Sequence, residues 1–141
     1  MLKRYICRLK KNDRGAAIIE FAIALPILVI LLLGIIEFGW VLNGYITITG
    51  AAREGARVAI VGGDYDDVKD AVDRHIESLP SLSLEEDSPD ISEATDVGDE
   101  LTVTLKGSLP LLIGFFEFLG NEGNFEYTAQ STMRREFADA E

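Results

Sequence analysis

Cysteine is almost absent from this chain. The single Cys7 lies in a basic N-terminal stretch, so no intrachain disulfide and no cysteine-built metal site can form. No specific lipidation signature surrounds it, and it reads as an inert thiol. Histidine is equally scarce: His75 stands alone beside Arg74, with no positioned nucleophile to make it catalytic, and reads as a surface residue. Basic residues are few after residue 14, and the clustered Lys and Arg that nucleic-acid phosphates require are missing. No small-residue cleavage pattern follows the apolar run that ends at Ile36, where Glu37-Phe38-Gly39-Trp40 stands instead. Internal repeats are lacking, and the glycine pairs do not have the spacing of a phosphate loop. Asp64, Asp66, Asp67 and Asp70 lack the ligand spacing and closing glutamate of a calcium loop, and are expected at a helix N-terminus, where the dipole favours acids.

What is present is strongly segregated. Lys3, Arg4, Arg8, Lys10, Lys11 and Arg14 against Asp13 give residues 1–14 a net charge of +5, and the total of −11 leaves −16 for residues 15–141. Lys- and Arg-rich flanks stay on the cytoplasmic side of a membrane, so the N-terminus is expected inside and the acidic body outside. Phe21 to Ile36 carries no charge, and as a helix these residues cover about 24 Å. Ala16–Ile19 and the residues after Phe38 are needed to complete a span of about 30 Å. Pro26 lies inside the run, tolerable in a membrane helix and expected to bend it. Trp40 and Tyr45 suit the outer headgroup belt.

The remainder has room for one small domain. Residues 41–50, VLNGYITITG, read equally as a hairpin around Asn43-Gly44 or as more helix. In the next stretch Ala51, Gly55 and Ala59 recur every four residues, as do Ala52 and Ala56, a helical pattern that Gly62-Gly63 ends. Residues 64–80 predict an amphipathic helix with Val68, Ala71, Val72, Ile76 and Leu79 inward, stopped by Pro80. Residues 81–99 read mainly as loop, with a short strand at Leu82–Leu84. Leu101–Leu105 and Phe125–Met133 predict strands, and the apolar cluster between them is too short and too broken to span a bilayer.

Glu20 is the residue that asks for an explanation. A carboxylate at the mouth of a membrane helix is costly unless paired. Cleavage after Gly15 would create an amine on Ala16 within about one and a half helical turns. An uncut anchor with Glu20 near the headgroups fits the same physics.

Gly15-Ala16-Ala17-Ile18-Ile19-Glu20-Phe21 resembles the junction that prepilin peptidases recognise, a basic leader ending in glycine with glutamate at the fifth mature position. The longer block from Arg14 to about Ala59 is similar to TadE-like pseudopilins of the tight-adherence (Flp pilus) system, through GxxxxEF, Leu25-Pro26, Glu37-Phe38 and AAREGAR. The tail QSTMRRE agrees more loosely. This resemblance implies an α+β, pilin-like fold: a basic leader (1–15), a transmembrane helix (16–42) and an exported domain (43–141) with a second helix and a short antiparallel sheet. It favours one long helix across Asn43-Gly44. It also implies a non-enzymatic minor subunit in the inner membrane, with its C-terminal domain periplasmic or extracellular. Gly15 and Ala16 would flank the cut, while Glu20 and Phe21 would serve peptidase recognition and subunit pairing. Its partners would be the prepilin peptidase, other pilin-like subunits, the inner-membrane assembly platform and lipid. No cofactor or metal is expected.

Three further residues carry two readings each. Glu37 makes an intersubunit contact or marks the outer water boundary. Arg53 and Arg57 bind an assembly partner, or belong to an ordinary surface helix with Glu54. The competing class for the whole chain is an uncleaved, signal-anchored domain that binds an extracellular ligand.

Overall fold

In a computed structural model of the protein, the described residues are 13–92, 98–113, 120 and 123–135. The leader as far as Asn12, with Cys7, lies outside them, as do residues 114–119 of the second apolar cluster and residues 136–141. The elements run α1 (Asp13–Ile60), α2 (Tyr65–Ile76), β1 (Ser83–Leu84), β2 (Asp90–Ile91), β3 (Glu100–Pro110) and β4 (Asn124–Arg134). Two long-range groupings result, Met1–Ile36 and Glu37–Glu141, and α1 contributes to both.

In the first unit, α1 is apolar on every side, and Pro26 lies inside the helix without ending it. Ile18, Ile19, Phe21, Ile23, Ile27, Leu28 and Leu31 are all exposed. A helix that is apolar all round and uncovered by protein calls for a lipid environment. It is the one helix among the described residues long and apolar enough to cross a membrane, which suits a single-pass anchor.

The second unit begins at Glu37, and Glu37, Trp40 and Val41 already face its core. From there α1 buries one stripe: Glu37, Gly44, Thr47-Ile48, Ala51-Ala52, Gly55-Ala56 and Ala59. The three- and four-residue spacing keeps these on one face. The ambiguity of residues 41–50 is settled for helix. Asn43-Gly44 forms no hairpin turn because Gly44 is where the sheet comes closest; a Cβ there would stand 2.8 Å from both Leu109 Cδ2 and the Tyr127 hydroxyl. Packing at that point outweighs the roughly 1 kcal/mol that glycine costs inside a helix.

Gly62 and Gly63 close α1. Gly62 N–H donates to Ala59 O and Gly63 N–H to Val58 O, at 3.2 and 3.1 Å, with Gly62 at φ 89°. This pair of bonds satisfies the last carbonyls of the helix through a left-handed residue that glycine supplies cheaply. Asp64 then caps α2: its carboxylate accepts from Asp67 N–H at 2.9 Å, and Asp67 reciprocates to Asp64 N–H at 3.3 Å. The expected amphipathic face is present, with Val68, Ala71, Val72 and Ile76 buried. However, α2 ends at Ile76 with Glu77 as its C-cap, so Pro80 is not the stop. Leu79 is buried from the turn that follows.

β3 is the centre of an antiparallel sheet. β4 pairs with it along its whole length, from Glu100 opposite Arg134 to Pro110 opposite Asn124. On the other edge β1 pairs at Gly107–Ser108 and β2 at Val103–Thr104. Leu101, Val103, Leu105 and Leu109 alternate inward with Tyr127 and Ala129 of β4. Large faces small across the ladder, Tyr127 opposite Gly107 and Leu105 opposite Ala129, so the inner face stays level beneath α1. β2 was not expected in the 81–99 loop. Two residues carry little alternation, and β2 is held instead by serines: Ser88 Oγ bonds Lys106 N–H and O, and Ser92 Oγ accepts from Thr102 N–H.

Candidate junction and clamp site

Gly15 to Phe21 form the opening turns of α1. Gly15 is half-buried, and Ala16 to Phe21, Glu20 among them, are exposed. Ala16 and Glu20 are four residues apart and therefore on one face, about 6 Å along the axis. The Gly15–Ala16 peptide lies inside the helix, so a protease reaching it must first open that turn.

Glu37 is a fully buried charged residue of the second unit. Its exposure is 0%, and its carboxylate accepts two backbone hydrogen bonds, from Leu112 N–H to Oε1 at 2.7 Å and from Ile113 N–H to Oε2 at 2.8 Å. Glu37 is thus buried in its own domain rather than open to water. Glu37 directly follows the uncharged run, but its charge is turned onto the chain segment after β3 rather than into solvent. Bonds from N–H groups to a carboxylate are among the stronger hydrogen bonds, and here both oxygens are used.

Two neighbours extend the clamp. Trp40 Nε1–H donates to Pro110 O at 3.0 Å, and the Tyr127 hydroxyl donates to Val41 O at 2.8 Å. Burial raises the Tyr127 pKa above its ordinary 10.0, which keeps the phenol protonated for that bond. Trp40 is thus half-buried on its own domain, whereas Tyr45 is 53% exposed.

Arg53 is exposed on α1. Arg57 is exposed and forms a two-point pair with Glu54, at 2.6 and 3.0 Å. The hydrogen bond from Arg57 holds the Glu54 carboxyl below its ordinary 4.5, and the same contact raises Arg57. The two arginines stand further along α1 than the Glu37 clamp.

Elsewhere a cleft of about 540 Å³ is lined by Tyr65, Asp87, Ser88, Pro89, Asp90, Ile91, Thr104 and Lys106. Among the described residues no three His, Cys, Asp or Glu side chains converge to hold a metal ion. His75 is exposed on α2, and its ring fills the space beside Gly50.

With Gly15–Phe21 at the head of α1 and the small-residue stripe running to Ala59, the decisive comparison concerns this helix. Residues 15–57 match the family model of TadE-like protein. The TadE-like segment thus begins at Gly15, takes in the apolar half of α1 and ends at Arg57, three residues before the helix does. The match covers less than half of the chain and is a likeness of α1. No match was found among curated proteins or among solved structures.

Sequence reasoning missed the Glu37 clamp and the Tyr127–Val41 bond. Their partners lie 75, 76 and 86 residues away in the chain, and no local periodicity reports pairing at that separation. The available signal was weak: a glutamate immediately after an uncharged run, and an apolar cluster too short to span a membrane on its own.

Proposed function

We propose that the protein is a minor pilin-like subunit of a tight-adherence (Flp) pilus assembly and secretion system, cut by a prepilin peptidase between Gly15 and Ala16. The observation that supports this reading is the TadE-like match starting at Gly15, with a basic stretch before it and Glu20 at the fifth position after the cut. Cleavage leaves an ammonium on Ala16 one helical turn from Glu20, on the same face. That charge offsets the cost of a carboxylate at the mouth of a membrane helix. Phe21 presents an aromatic face beside it, and the exposed apolar side chains of α1 remain available to lipid and then to other pilin-like subunits at the inner-membrane assembly platform. The lysines and arginines of the leader hold the N-terminus in the cytoplasm, which places the acidic domain outside.

The test is the N-terminus of the membrane-extracted protein, read by mass spectrometry from cells with and without a prepilin peptidase. The expected product starts at Ala16 only when the peptidase is present, and Gly15→Leu remains at precursor size. A chain starting at Met1 in both strains overturns the processing and favours the uncleaved, signal-anchored domain.

A further inference from the structure

Leu112 and Ile113 are large apolar side chains left 54% and 40% exposed, although their backbone N–H groups are both bonded within the protein. Leu111 N–H donates to Gly123 O at 3.1 Å, Leu112 and Ile113 N–H donate to Glu37, Pro110 has no N–H, and Pro110 O accepts from Trp40. An ordinary surface turn leaves such groups to water and points polar side chains outward. Here the reverse holds: the donors of 111–113 are closed within the protein and the apolar side chains face out.

That combination suits one environment. Within a bilayer each unpaired backbone polar group costs several kcal/mol, so non-helical chain enters the apolar boundary only when its N–H and C=O groups are already bonded. The position fits as well. Ala16–Ile36 is about 31 Å long as a helix, enough to cross the hydrocarbon core, and Glu37 is the next residue. The residue that holds this segment is thus the first in the chain after that span. On α1 itself Phe38, Leu42, Tyr45 and Ile46 continue outward as an exposed apolar stripe, at 62%, 45%, 53% and 61%.

We propose that residues 110–113, clamped by Glu37, form a second membrane contact, with Leu112 and Ile113 seated in the interfacial region of the same bilayer that α1 crosses. Glu37 is then a positioning residue. It presents the turn to lipid and removes the two donors that would keep the turn in water. The contact fixes the tilt and depth of the acidic domain at the membrane surface, which a single helix alone leaves free. The proposal rests on the membrane-anchored reading of α1 and not on cleavage after Gly15.

The experiment uses the full chain in phosphatidylcholine–phosphatidylglycerol vesicles, with the lone Trp40 as reporter of α1 and an NBD label on a Cys7→Ser background as reporter of the domain. Labels are placed at Ile113→Cys or, as a control, at Thr128→Cys on the exposed face of β4. Lipids carrying bromine or nitroxide near the headgroup should quench Trp40 and the label at 113, with a blue shift of the latter, and leave the label at 128 unaffected. Adding Glu37→Gln should lose the quenching at 113 while Trp40 stays quenched. Aqueous emission at 113 with Trp40 quenched overturns the second contact and leaves the anchor standing. A blue-shifted label at 113 that lipid quenchers do not reach, and that reverts on dilution of protein in lipid, overturns it in favour of a second copy covering the patch. Absence of quenching at both positions overturns the anchor and the proposal together.

Discussion

Between Phe21 and Ile36, α1 turns large apolar side chains outward on all sides, whereas between Glu37 and Ile60 it buries one stripe made largely of glycine and alanine. Both stretches are helix, and for different reasons. In the first, lipid forbids any alternative that leaves backbone groups unpaired. In the second, the small stripe lets the sheet and α2 come within van der Waals reach, so helix is enforced by tertiary packing against Val72, Val103 and Leu109. A position in the first half therefore tolerates volume and refuses charge. A position in the second half tolerates charge on its outer face and refuses volume on its inner one.

The strongest way to break this contrast is at the residue where the halves meet. Glu37→Ala removes both acceptors and leaves two N–H groups unsatisfied, each costing about 1–3 kcal/mol, so a loss of about 2–6 kcal/mol is expected. Denaturation of detergent-solubilised protein followed by Trp40 fluorescence measures it, and a midpoint equal to wild type would show that the clamp contributes nothing. Glycine offers a paired test. Gly44→Leu drives bulk into Leu109 and Tyr127 and should destabilise by about 1–3 kcal/mol. At Gly39 nothing lies within 4 Å of an added Cβ, and Gly39→Ala should stabilise by about 0.5–1 kcal/mol through helix propensity. Equal effects of the two substitutions would erase the distinction between an inner and an outer face.

Smaller effects sharpen the comparison within the second half. Tyr127→Phe loses one hydrogen bond to Val41 O, about 0.5–1.5 kcal/mol. The pKa of Tyr127 is raised on folding, so its contribution is intact below 10.0 and falls as pH rises through the folded value. Alkaline titration should thus destabilise wild type more than Tyr127→Phe, and parallel curves would count against the burial of this phenol. The Glu54–Arg57 pair runs the opposite way and is the weakest. Its carboxyl is lowered on folding, so the pair contributes above 4.5 and is lost as pH falls below it. Both groups are in solvent, and Glu54→Gln should abolish the acid dependence with almost no change at neutral pH.

Much of this architecture is legible from local pattern. The uncharged run, the Gly62-Gly63 stop, the inward face of α2 and the two long strands follow from apolar periodicity and from residues that cap or break helices. The junction at Gly15–Phe21 is legible as a motif, because its residues are contiguous. The points that local pattern left open or missed share one cause. Asn43-Gly44 carries a hairpin signal that is overruled by Leu109 and Tyr127, more than sixty residues away in the chain. β2 is held by Ser88 and Ser92 rather than by alternation, and Glu37 draws its partners from the far end of β3. Each is decided by tertiary contact, which a window of ten residues does not contain.

The four hydrogen bonds at Glu37, Trp40 and Val41 span little more than one turn of α1. A force drawn along the helix axis, as when an anchor is pulled from a bilayer, reaches all four almost together before it reaches the rest of the domain. They share the load and must yield together, unlike a hairpin that unzips bond by bond. The junction of helix and domain is in this sense a grip, sized so that traction on the anchor is borne by the folded body and not by the first turn to unwind.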